Sequence, residues 1–249
     1  GWRAVDSRAQ PADALLALQQ ILSQENVLAV VGPVMSPVAT TVGAWISLAA
    51  PHIPLVIPVA SAEGISKLGH NIFQLTPPTS ELARTIARYA MECLGHREFA
   101  VLAPRTPYGE TISSAFVDEV ERGGGTLLGV EQYEEGLPDY KRHFETLRLK
   151  GYKLLRERRL IAAGVEDLSD RGGAKARTAY LADSVITVDA VLIAASTPGD
   201  AIQLGSQTIF NKINTQLLGT SGWYGAELLK SGRKIMEGSI FSSDFLERS

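Results

Sequence analysis

Val27-Leu28-Ala29-Val30-Val31 carries no polar side chain and breaks abruptly at Gly32-Pro33. A run this short, apolar and β-branched reads as a strand buried on both faces, the environment of a parallel sheet. Ser36 and Pro37 follow, a good N-cap and a good first helical residue for the stretch Pro37–Ala49. A strand that turns directly into a capped helix sets the free N–H groups of that helix at the carboxyl edge of the sheet. That edge is where open α/β sheets bind ligands. Spacing alone assigns the Ser36 hydroxyl to capping its own helix.

The same alternation recurs along the chain and predicts an α/β fold with parallel sheets. Arg3–Asp6 reads as a short strand, Pro11–Ser23 as a helix, and Leu55-Val56-Ile57 and Ile72–Leu75 as strands. Thr79–Leu94 is a helix stopped by Gly95, with Leu82 and Ile86 on its apolar face. Phe99–Ala103, Thr126–Val130, Ala190–Ala195, Gln216–Gly219 and Ser239–Phe241 are further strands. They are separated by helices at Glu110–Arg122, Asp139–Leu149, Asp200–Phe210 and Ala226–Lys230. Pro77-Pro78 divides the units into a partial first lobe (1–77) and a fuller second lobe (78–249). Residues from about 150 to 186, rich in Lys, Arg, Glu and Asp, read as a solvated, mostly helical insertion in the second lobe.

Composition narrows the function classes. At 249 residues the chain is long enough for two domains, and a net charge of -3 argues against a nucleic-acid binder built on phosphate contacts. The single cysteine, Cys93, lies in an apolar helical pattern and reads as a buried, inert thiol with no intrachain partner. No stretch reaches the roughly 18 apolar residues of a membrane span. The chain opens abruptly on a strand-like segment with no leader, as a fragment of a longer protein would.

Catalytic patterns fail one by one. Gly123-Gly124-Gly125 follows a helix and precedes a strand, the reverse of a dinucleotide fingerprint, and reads as a helix C-cap. There is no P-loop, and Gly219-Thr220-Ser221-Gly222 does not match a nucleophile elbow. His52, His70, His96 and His143 are never three or four residues apart, so they form no helical metal site. The sequence therefore predicts no enzyme, no cofactor and no metal. Small polar loops remain at the carboxyl ends of strands: Ser36, Ala60-Ser61-Ala62, Tyr108-Gly109, Ser196-Thr197 and Thr220 to Tyr224. Each loop alone is ordinary turn and cap chemistry. Five on one edge suit a cleft for a small polar ligand.

These segments resemble the type I periplasmic-binding proteins, in the branch of extracellular receptors for leucine, isoleucine and valine. The matching residues are Val5-Asp6-Ser7, Val27 to Pro33 with Ser36, and Ile53 to Pro58 with Ala60-Ser61-Ala62. The match continues through Phe73 to Pro77, Phe99 to Leu102 with Tyr108-Gly109, Leu217 to Ser221, and Glu237 to Phe241. The resemblance implies two doubly wound lobes with parallel sheets around a cleft, joined by a hinge, with the first lobe incomplete in this chain. It implies a periplasmic or surface-attached protein that delivers a small polar or amino-acid-like ligand to a membrane permease. By the same resemblance, Ser36 meets the ligand carboxylate, Ala60 and Ser61 supply backbone and hydroxyl contacts, and Tyr108 closes from the second lobe. Thr197 and Ser221 complete the expected ligand-binding set. Two departures stand out: no carboxylate lies near Ser221, where amino-acid binders hold the ammonium, and Ser196-Thr197 replaces an aromatic stretch. The segments Thr215 to Trp223 and Glu237 to Phe241 also resemble envelope lipoproteins that activate penicillin-binding proteins, an alternative in which the fold is an interaction module without a transported ligand.

Overall fold

The computed structural model describes residues 1–24, 26–162 and 186–244, which fall into two units, Gly1–Glu81 and Leu82–Ser249. The first unit holds α1 (Pro11–Gln24), β1 (Val30–Val31), α2 (Ser36–Ala49), β2 (Leu55–Ile57), a 3-10 turn at Ile65–Lys67 and β3 (Ile72–Gln74). The second takes in most of α3 (Thr79–Glu92), then β4 (Glu98–Pro104), α4 (Pro107–Arg122), β5 (Thr126–Tyr133) and α5 (Lys141–Ala162). It continues with β6 (Ile186–Ile193), α6 (Pro198–Phe210), β7 (Ile213–Gly219), a 3-10 turn at Ser221–Trp223, α7 (Ala226–Ser231) and β8 (Ile240–Phe241). Every strand pair is parallel, in the orders β1-β2-β3 and β5-β4-β6-β7-β8. Residues 163–185, the bulk of the charged insertion expected at about 150–186, lie outside the described residues. The part before them is the end of α5.

The larger sheet is doubly wound, and its strand sequences show why. Side chains alternate across a strand, so Phe99, Val101 and Ala103 of β4 face one core while Ala100 and Leu102 face another. From β6 onward, Ala190, Leu192 and Ala194 join the first of these cores, and Val191, Ile193 and Ala195 the second. Ile86, Ala87 and Ala90 of α3 and Ile112, Phe116 and Val120 of α4 close the first core, where Phe99 and Phe116 meet edge-to-face at 5.6 Å. Phe144 and Leu147 of α5 and Ala201 and Leu204 of α6 close the other. Side chains of this size, fully buried, contribute roughly 1.5–3 kcal/mol each before entropy is counted. At the amino end, Asp189 ties β6 to β4 by accepting the Arg97 and Glu98 N–H groups at 2.7 and 2.9 Å.

Helix boundaries follow local chemistry. Thr106 and Thr197 cap α4 and α6, each accepting an N–H from the third residue on at 3.2 Å, with Pro at the first helical position. Tyr108 therefore stands in the first turn of α4 rather than in a loop. The glycine run ends α4 as a Schellman motif: Gly124 takes φ +73°, its N–H donates to Glu121 O, and the Gly125 N–H donates to Val120 O.

Four expectations are corrected. Arg3–Asp6 is not a strand: it joins neither sheet, and Trp2 stands 90% exposed. The run from Val27 forms only the two-residue β1, an edge strand with Leu28 86% and Val31 74% exposed, so it is not buried on both faces. A strand acquires two buried faces from its neighbours, and β1 pairs only with β2. The N-cap of α2 is Met35, not Ser36, and no side chain caps it. Cys93 is exposed, because α3 ends at Glu92 and the thiol falls in the turn beyond its apolar face.

Trp223 fixes the carboxyl end of the larger sheet. It is fully buried, donates its indole N–H to Ile193 O at 2.9 Å, and lies 6.2 Å from the Phe241 ring. Trp223→Ala is expected to destabilise the protein by about 3–5 kcal/mol, measured by urea denaturation. A loss below about 1 kcal/mol would show that the indole does not anchor this end.

Candidate functional site

In the smaller sheet the parallel pairing of Val30 with Leu55 and Val31 with Val56 brings the carboxyl ends of β1 and β2 to one edge. Ser36 stands there in the first turn of α2, half-buried, and its hydroxyl makes no hydrogen bond among the described residues. The next loop is tightly held. Gln74 donates its side-chain amide to Ala60 O at 2.9 Å and Ala62 O at 3.2 Å, and the Thr79 N–H donates to Ser61 O at 3.1 Å. The Thr79 hydroxyl reaches Ser61 Oγ at 3.3 Å, and Glu63 accepts the Ser80 N–H at 3.1 Å. Ala60 is buried, and its carbonyl is already engaged. Ser61 is only half-buried, on a loop whose shape is fixed from three sides.

In the larger sheet β4, β6 and β7 are neighbours, so Tyr108, Thr197 and Ser221 arise at adjacent strand ends. The structure brings Tyr108 together with the loop of Ser221: its hydroxyl lies 2.9 Å from Thr220 Oγ1, and the Gly222 backbone is a further hydrogen-bond partner. Gly222 has to be glycine here, since a Cβ would stand 2.2 Å from Ala195 O and 3.1 Å from the Tyr108 hydroxyl. Burial raises the Tyr108 phenol above its ordinary range, the Thr220 and Gly222 hydrogen bonds oppose this, and Asp244 adds to the rise. Thr197 is not gathered with them. It is exposed and engaged with Asp200, to which it donates its hydroxyl proton at 2.7 Å while capping α6.

Sequence reasoning missed two carboxylates at this edge. Glu135, in the acidic loop after β5, accepts the Ser196 hydroxyl at 2.7 Å, and Asp200 sits beside Thr197. Neither is paired with a Lys or Arg among the described residues. Both are felt by Tyr133 and Tyr140, whose rings meet edge-to-face at 5.1 Å. Burial first, then the Asp200 carboxylate, holds both phenols above the ordinary tyrosine value. The Tyr133 hydroxyl is buried with no partner among the described residues. The position of Glu135 right after a strand was the available signal. The nearness of residues 135, 196 and 200 is tertiary and invisible in the chain order.

Among the described residues no group of three or more His, Cys, Asp or Glu could hold a metal, and no helix is long and apolar enough to cross a membrane. The arrangement offers hydroxyls, first-turn N–H groups and unpaired carboxylates at strand ends.

This combination of parallel α/β sheets with polar carboxyl edges is the periplasmic-binding architecture. The model of the family described as periplasmic binding protein matches residues 2–249, and the chain belongs to that family. It is similar to a putative branched-chain amino acid ABC transporter from Rhodospirillum rubrum (18% identity, TM-score 0.69), covering 95% of this chain and 57% of that one. It is similar also to the branched-chain amino acid transporter substrate binding protein LivJ from Streptococcus pneumoniae, solved in complex with isoleucine (19%, TM-score 0.54, 92% and 54%). A third likeness is to a solute binding protein of an ABC transporter from Rhodopseudomonas palustris, in complex with 3,4-dihydroxy benzoic acid (16%, TM-score 0.55, 91% and 52%). The chain spans a little over half the length of these structures. No curated protein matches it.

The raised phenols make a pH prediction. Below pH 10.0 both folded and unfolded chains keep these protons, and stability does not depend on them. Above it the unfolded chain ionises before Tyr108, Tyr133 and Tyr140 do in the folded one, so stability falls as pH rises. Phenolate absorbance is expected to show these three of the seven tyrosines ionising above pH 10.0 in the folded protein. Full ionisation near pH 10.0 in the folded state would contradict it.

Proposed function

We propose that the protein is an extracytoplasmic solute-binding protein of ABC-type uptake, taking a small polar or amino-acid-like ligand at the carboxyl ends of its parallel strands. The observation that carries this reading is Ser36: it occupies the first turn of α2, yet its hydroxyl is free of capping duty. A carboxylate there would accept the hydroxyl proton and the unsatisfied N–H groups of the first turn, where the helix dipole favours negative charge. Isoleucine and 3,4-dihydroxy benzoic acid, the ligands of two of the similar structures, both carry a carboxylate. Ser61 adds a hydroxyl on a fixed loop, and Tyr108 and Ser221 line the edge of the larger sheet. Glu135 and Asp200 supply the negative charge missing near Ser221, so an ammonium group is received beside Ser196 and Thr197. The ligand is bound and released unchanged, and the partner is a membrane permease.

The test is a thermal-shift panel of leucine, isoleucine and 3,4-dihydroxybenzoate, since a ligand of the native state raises the melting temperature by mass action. At least one is expected to give a saturable shift, and Ser36→Ala is expected to weaken it about tenfold, the loss of about 1.4 kcal/mol. A flat panel, or an unchanged affinity in Ser36→Ala, would overturn the reading. Glu135→Gln separates the two charges: it is expected to weaken isoleucine severalfold and leave 3,4-dihydroxybenzoate unaffected. Equal effects on both would remove Glu135 from the ammonium contact.

A further inference from the structure

A cavity of about 570 Å³ opens at the outer margin of the larger sheet, where edge strand β5 meets the first turns of α5. Its walls carry Arg105, Glu131, Gln132, Arg142, His143 and Thr146. None of these belongs to the ligand edge described above, and all lie in one unit.

The charge in this cavity is unbalanced. Glu131 is its only carboxylate, and it is already neutralised: Lys150 reaches it at 2.6 Å, and His143 lies 4.0 Å away. A register shift in the β4–β5 pairing brings Gly129 opposite Ala100, and Lys150 lies so close to Gly129 that a Cβ there would stand 2.5 Å from Nζ. Arg105 pairs with Glu134 at 3.4 Å, but both side chains are more than 60% exposed. Such a pair is worth about 0–1 kcal/mol and is readily given up. Arg142 makes no ion pair among the described residues. The first turn of α5 holds Lys141, Arg142 and His143, and the acid at this helix start is Asp139, just before it, which accepts the Lys141 N–H at 2.8 Å. Two guanidinium groups from different elements, an imidazole and an amide therefore converge on one concavity, where Arg142 has no ion pair among the described residues and Arg105 is held only by an exposed one.

We propose that this cavity is a second binding site, for the oxyanion of a small molecule, a phosphate or carboxylate group held by Arg105 and Arg142. Guanidinium groups bind such oxyanions in a planar, two-point fashion that a lysine does not offer. The Gln132 amide donates to a remaining oxygen. The site shares no residue with the Ser36 edge and does not depend on the function proposed above.

Isothermal titration with inorganic phosphate and, separately, with succinate tests it, with ionic strength held constant by sodium chloride. Saturable binding of at least one probe is expected, with Arg142→Ala and Arg105→Ala each weakening it tenfold or more. Both residues are exposed, so neither substitution disturbs a core. Lys230→Ala removes an exposed charge on α7, and Ser36→Ala removes the hydroxyl at the other anion-receiving edge; both are expected to leave the affinity unchanged. No saturable binding of either probe would overturn the proposal. So would equal weakening by Lys230→Ala, which marks non-specific charge, or loss in Ser36→Ala instead of Arg142→Ala, which places the anion at the first sheet.

Discussion

A parallel sheet keeps both faces away from water, and β4 and β6 meet that requirement residue by residue, sending alternate side chains into two separate cores. The rest of the larger unit follows. Two cores demand helices on both faces, and helices on both faces demand right-handed crossovers between parallel strands. Each crossover starts a helix at the carboxyl edge. The polar equipment of the molecule is thus concentrated where the packing forces the chain to turn: the Thr106 and Thr197 caps, Tyr108 in the first turn of α4, and the Thr220–Trp223 corner.

The interior of the fold was legible because its strands are defined by their own residues. Phe99–Ala103 and Ala190–Ile193 are apolar and buried at every position, and no neighbour is needed to recognise them. The glycine run after α4 was legible for the same local reason, whereas α4 and α6 begin at Pro107 and Pro198, ahead of the Glu110 and Asp200 starts read from the sequence. What failed were properties conferred by neighbours. Val31 and Arg3–Asp6 have strand-like sequences, but exposure is decided by what pairs beside them. Cys93 belongs to an apolar pattern, yet the helix ends one residue earlier.

The site divides along the same line. Tyr108 and Ser221 could each be placed after a strand from the chain order, whereas the bond from the Tyr108 hydroxyl to Thr220 could not. Ser36 was assigned to its helix by a capping rule, and the structure gives the cap to Met35. Glu135 and Asp200 are 65 positions apart by the difference of their numbers, and only the fold sets them around Ser196 and Thr197. Charges are the least local of a protein's properties, and both of its unbalanced clusters, one acidic and one basic, emerge only in three dimensions.

The smaller sheet carries a different consequence. Its register lines up Val31, Val56 and Phe73 in one row, with Val31 and Phe73 at least half exposed, while α1 and α2 close the opposite face. A ladder protected on one side opens at lower free energy than one sealed on both. Amide protons of β2 and β3 therefore exchange with solvent ahead of those in β4 and β6. The two sheets of one chain keep time on different clocks, and the slower is the one bolted through Trp223.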